Sequence, residues 1–157
     1  MSSVIERWHK VVEAQDPSGL ADLLADDVVF HSPVVHTPQV GKAITTLYLS
    51  AAFKTLNEPG HFTYLRELVD GNNAVLEFQT VIDGITINGI DMIQWNDDGK
   101  IVDFKVMVRP LKAVNAIHTA MTRMLDALKP GHEKVPCHAM HDTILCSVSV
   151  SVSGVDR

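Results

Sequence analysis

The amino-acid sequence predicts a single α+β domain in which a curved antiparallel sheet wraps around helices. Three observations predict it: two helical stretches near the N-terminus and a third before residue 57, an abrupt change to period-two patterning after Gly60, and one more helical stretch after Pro110. With 157 residues, 46% hydrophobic and 20% charged, the chain has the size and composition of one globular core.

Val4, Ile5, Trp8, Val11 and Val12 recur at helical spacing, so residues 3–15 read as an amphipathic helix. Asp16-Pro17-Ser18-Gly19 makes a turn, and Leu20, Leu23 and Leu24 mark a short second helix. Val28-Val29-Phe30-His31, stopped by Ser32-Pro33, reads as a strand. Between Gly41 and Leu56, the positions Ile44, Leu47, Tyr48, Ala51 and Ala52 restore the helical period. Four strands follow, at Phe62–Leu68, Ala74–Ile82, Ile85–Trp95 and Ile101–Val108, joined by hairpin signals such as Asp83-Gly84. From Pro110 the apolar positions Leu111, Val114, Ile117, Met121, Met124, Leu125 and Leu128 form the last helix, which ends at Pro130-Gly131. Residues 1–131 are expected to form the domain. Residues 132–157 form an extension in which Cys146, Val148, Val150 and Val152 alternate with serines, open to reading as an edge strand, a subunit contact or a tail.

The net charge of −6, with basic residues scattered, lacks the positive stripe that phosphate-backbone binding requires, so nucleic acid is not expected as a partner. No apolar run approaches the roughly 18 residues of a membrane span, and the polar N-terminus carries no export signal. A cytoplasmic location without membrane contact is the expectation, with Cys137 and Cys146 as thiols. His132, Cys137, His138 and His141 match no zinc spacing, and neither a metal nor an organic cofactor is expected.

The order of these elements and several local motifs resemble the nuclear transport factor 2-like superfamily, with its ketosteroid isomerases and SnoaL-like polyketide cyclases. The resemblance spans residues 4–128 and is carried mainly by Gly89-Ile90-Asp91-Met92-Ile93-Gln94-Trp95-Asn96-Asp97-Asp98-Gly99-Lys100-Ile101-Val102 and Val108-Arg109-Pro110-Leu111. Arg7-Trp8, Phe30-His31-Ser32-Pro33 and Ile44-Thr45-Thr46-Leu47-Tyr48 add to it. It implies a cone-shaped, cystatin-like fold that encloses a small apolar molecule.

Asp91 lies in a strand whose alternate residues Asp91, Ile93 and Trp95 face one side, and an acid on an apolar face requires a reason. In the resembled isomerases an aspartic acid in a similar motif is held neutral and donates a hydrogen bond to the substrate oxyanion. The alternative is a carboxylate solvated at the cone mouth or paired with Arg109. Trp8 stands where those isomerases have an oxyanion-hole tyrosine, and Ser32 where they have a proton-shuttling aspartate. An indole can only donate, and serine is a weak base unless activated. His31 is the candidate replacement base, because imidazole titrates near neutrality; its alternative is a structural histidine. Tyr48 matches a tyrosine that supports the isomerases' hydrogen-bond network, or it is core packing.

Trp8, Phe30, Phe53, Phe78, Ile93, Trp95, Val106 and Val108 are the expected lining of a cavity, with Asp91, Tyr48 and His31 as its convergent polar groups. Two functions fit. One is a cofactor-independent isomerase or cyclase moving a proton beside a carbonyl, and the other a non-catalytic binding or dimerisation module of the same fold. A homodimer joined through the sheet is expected, because Val75, Val81 and Val102 make its convex side half apolar.

Overall fold

A computed structural model describes residues 3–56 and 60–128. The first helix, α1 (Val4–Ala14), opens with a reciprocal cap in which Ser3 Oγ accepts from the Glu6 N–H and the Glu6 carboxylate accepts from the Ser3 N–H. Its apolar stripe buries Val4, Ile5, Trp8, Val11 and Val12, as the spacing predicts. A turn of 3-10 helix at Pro17–Gly19 leads into the short α2 (Leu20–Leu23), and β1 (Leu24–His31) begins at once.

After the two-residue β2 (Gln39–Val40) comes α3 (Lys42–Leu56), followed by β3 (Thr63–Asp70), β4 (Asn73–Ile82), β5 (Ile85–Trp95), β6 (Ile101–Arg109) and α4 (Leu111–Leu128). The strands form one six-stranded, curved, unclosed sheet in the order β2-β1-β6-β5-β4-β3. Asp83 and Gly84, between β4 and β5, both have positive φ (49° and 76°), the pattern of the tight hairpin turn that Asp-Gly favours.

The sheet is mixed rather than wholly antiparallel, because β1 runs parallel to β6, with Phe30 opposite Phe104 and His31 opposite Lys105. Hairpin turns announce antiparallel neighbours in a sequence, whereas a parallel partner some seventy residues away leaves no local signal. The same pairing explains why β1 starts at Leu24, which lies opposite Ile101, and not at Val28.

Helices α1 and α3 pack on one face of the sheet, with Trp8, Phe30, Leu49, Phe53, Leu76, Ile93, Ile101 and Phe104 in one apolar cluster. A second cluster joins Ala113, Ile117 and Met121 of α4 to Phe78, Ile82 and Ile87. Among the described residues no helix is long and apolar enough to cross a membrane. The alternating Val/Ser segment and the His/Cys group at residues 132–141 lie outside the described residues.

Candidate active site

Alternation along β5 points Asp91 to the inner face, between Leu76 of β4 and Val106 of β6 in the neighbouring strands. Only 6% of its surface is exposed. The cavity it enters has about 50 Å³ of free space and is walled by aromatic rings, including Trp8, Phe30, Phe53, Phe62, Phe78 and Phe104, with Val106 beside the carboxyl. Ala52, Leu56, Phe62, Tyr64 and Val106 are the part-exposed members of the lining, four of them around the end of α3 and the start of β3.

One polar side chain meets Asp91 in this apolar setting, and a second meets the first. Tyr64 donates its hydroxyl proton to Asp91 Oδ2 at 3.1 Å, and Trp8 donates its indole N–H to the Tyr64 oxygen at 2.9 Å. Burial pushes the Asp91 carboxyl up from 3.8 to about 7, against a smaller downward pull from the Tyr64 hydrogen bond. Burial, and then the neighbouring Asp91 charge, hold the Tyr64 phenol well above its usual 10. Among the described residues no cation takes part: Arg109 lies opposite Asn88, further along the strand pair, so the alternative of an Asp91–Arg109 ion pair is not realised.

The expected lining divides. Trp8, Phe30, Phe53, Phe78 and Val106 border the cavity. Ile93 is fully buried in the core beside it, Trp95 packs half-buried against the same core, and Val108 packs toward α4. Tyr48 also lies outside the lining, its ring 5.6 Å from that of Phe30.

His31 does not join Asp91. Phe30 points inward, so its neighbour in the strand points outward, where His31 Nε2 meets Asp103 Oδ2 at 2.8 Å on the far face of the sheet. There it borders a wider, open groove of about 560 Å³ with Ser32, His36 and Lys105. The expectation of His31 as a base acting in the same cavity as Asp91 is corrected by this parity. The polar group that does meet Asp91, Tyr64, is one the sequence reading passed over. Its signal was the alternation of Phe62 and Tyr64 at the start of β3, which puts both rings on the inner face.

A buried acid facing an aromatic cavity inside a curved sheet is now joined by sequence evidence. The family model of the SnoaL-like domain matches residues 5–104. The chain belongs to the SnoaL-like family. A steroid delta-isomerase from Pseudomonas aeruginosa is 39% identical over 79% of this chain and 90% of its own, with a TM-score of 0.75. An uncharacterised bacterial protein with a cystatin-like fold from Silicibacter pomeroyi is 33% identical over 78% of this chain and 85% of its own, with a TM-score of 0.72. An NTF2-like protein from Mesorhizobium loti, 23% identical over 68% of this chain and 88% of its own, shares the fold at a TM-score of 0.60. No curated protein matches the chain.

This SnoaL-like domain therefore carries its donor tyrosine on β3 and an indole on α1.

Proposed function

We propose that the protein is an isomerase- or cyclase-like enzyme that moves a proton next to a carbonyl of a small apolar substrate, with Asp91 as the acid–base group. The observation that carries this reading is the buried Asp91 carboxyl in an aromatic cavity, with no cation beside it among the described residues, where burial pushes its pKa up to about 7. A general acid–base works best when its pKa lies near the operating pH. At neutrality both forms of Asp91 are populated. The carboxylate takes a proton from the carbon beside the carbonyl, and the resulting acid returns it to that carbon or to one conjugated with it. Charge that develops on the substrate oxygen is met by the Tyr64 hydroxyl. The reaction consumes no oxidant and leaves Asp91 as it began. Similarity to the Pseudomonas steroid delta-isomerase supports the reaction class.

Deuterium uptake from solvent into an unconjugated cyclic ketone, followed by NMR together with the ultraviolet band of any conjugated product, tests this. Asp91→Asn should lower the rate by about a hundredfold or more, the usual scale of general acid–base catalysis, while His31→Gln should leave it unchanged. A second reading, a non-catalytic binding module, is favoured by one feature: among the described residues, no imidazole and no second carboxyl lines the cavity. Binding that quenches Trp8 fluorescence without any deuterium uptake would select that reading.

The homodimer is also proposed. On the outer face Val75 lies opposite Met92 and Ile90 opposite Met107, and Met107 is 50% exposed, so apolar side chains of three adjacent strands form one patch. Light scattering at micromolar concentration should give twice the chain mass; a monomer mass would refute it.

A further inference from the structure

Tyr64 has one hydroxyl proton to give, and its oxygen has lone pairs that compete for whatever donor lies near. Trp8 settles that competition. Its ring is held between Phe53 (centroids 5.8 Å apart) and Phe104 (4.8 Å), and it is only 2% exposed, so its N–H has a fixed direction. With the indole N–H on one lone pair at 2.9 Å, the Tyr64 proton lies toward Asp91 at 3.1 Å.

We propose that Trp8 is a positioning residue: its indole N–H fixes the Tyr64 oxygen so that the hydroxyl proton has two settings, the Asp91 carboxylate and the oxygen of a bound ligand. This rests on the reading of Asp91 as the acid–base group and gives it a coupling. When Asp91 takes a proton from the substrate carbon it ceases to be an anionic acceptor. The Tyr64 hydroxyl is then released toward the substrate oxygen, where charge has just developed. Proton arrival on one group and hydrogen-bond donation by the other become one event, and hydrogen bonds in such a chain strengthen one another. An isolated Tyr–Asp pair without Trp8 would leave the phenol free to rotate away.

The groups that bear on this chain are few. Asp91 is flanked by Leu76 and Val106 from the adjoining strands. Outside Tyr64, His9 of α1 lies edge-on to its ring at 4.9 Å and is bonded to Glu67 of β3 at 2.6 Å, and the Glu67 charge adds a small upward push on the phenol.

The test follows the Asp91 carboxyl carbon by NMR across pH. Trp8→Phe keeps an aromatic ring between Phe53 and Phe104 but removes the donor, which makes Tyr64 a weaker donor in turn. The Asp91 midpoint should rise by about half a pH unit. In a Tyr64→Phe background the same Trp8→Phe change should no longer move it, because the relay is already cut. No upward shift, or an equal shift in both backgrounds, would overturn the proposal and leave Trp8 as packing. A measurement on the unmutated protein stands independently of whether these variants fold: the Trp8 indole N–H resonance should move through the Asp91 transition, with Trp95 as the internal reference. An indole signal indifferent to that transition overturns the proposal equally. Neither readout needs turnover, so absence of deuterium uptake would remove the enzymatic reading alone.

Discussion

Between pH 4 and pH 8 the Asp91 carboxyl should cost the folded protein on the order of 4 kcal/mol of stability, and Asp91→Asn should abolish that part of the pH dependence. The sign follows from the direction of the shift. Asp91 loses its proton near 3.8 in the unfolded chain and at about 7 in the fold. Between these values the native state binds one proton more than the unfolded state, so stability falls as pH rises through this window and levels off above it. This is the reverse of a salt-bridged aspartate, whose contribution is lost on acidification. Carboxyls such as Asp16 and Asp26, drawn down by hydrogen bonds from Ser18 and Lys42, act in the ordinary direction. They are common to both proteins and cancel in the comparison. Asparagine brings its own constant cost, because its amide N–H groups enter an apolar cavity, of about 1–3 kcal/mol at every pH. The quantity to compare is therefore the change in unfolding free energy with pH, from urea titrations at pH 4, 6 and 8. Parallel curves for the two proteins would show that Asp91 is not held neutral.

The fold was legible because its elements advertise themselves locally. The stripe of α1, the Asp-Gly turn between β4 and β5, and the stretch from Leu111 onward each carry their signal within a few residues. What the sequence hid was the parallel contact of β1 with β6. Phe30 and Phe104 lie opposite each other there without any turn or spacing that joins them.

The site divides in the same way. Asp91 stood out because an acid interrupted the apolar face of a strand, and its burial follows from the parity already visible in the sequence. Parity also decides against His31, since Val28 and Phe30 turn inward and force the residue after Phe30 outward. Tyr64 was hidden by its own strand. Most of β3 is exposed on both faces, so the inward turn of Phe62 and Tyr64 at its start lacks the clean alternation that marks β4. Trp8 was read for what it lacks beside a tyrosine, an acidic proton. Its contribution is a directed N–H, which is a matter of distance and angle and not of residue type.

Gly89→Ala should destabilise the protein by about 2–3 kcal/mol and weaken ligand binding in the cavity at least tenfold. Gly89 sits on the inner face of β5, opposite Phe78 of β4. A methyl group there would collide with Phe78 Cζ and lie 2.8 Å from the backbone oxygen of Met107. Neither neighbour yields easily. The oxygen belongs to the β5–β6 pairing, and the Phe78 ring, 1% exposed, is stacked on Phe62 with centroids 5.4 Å apart. The ring's escape is into the cavity, where the free space is about 50 Å³. One added carbon thus strains the sheet and takes up free volume of the cavity. Phe78→Leu shortens the side chain that the methyl meets, so the two changes should be coupled: the double variant should be more stable than the sum of the single effects by about 1 kcal/mol or more. Recovery should be partial, because the contact with the Met107 oxygen persists. Chemical denaturation of the two single variants and the double variant, with Trp fluorescence as the probe of both unfolding and occupancy, measures this; strictly additive effects would mean that the cavity wall at Gly89 is not held by the Phe78 ring.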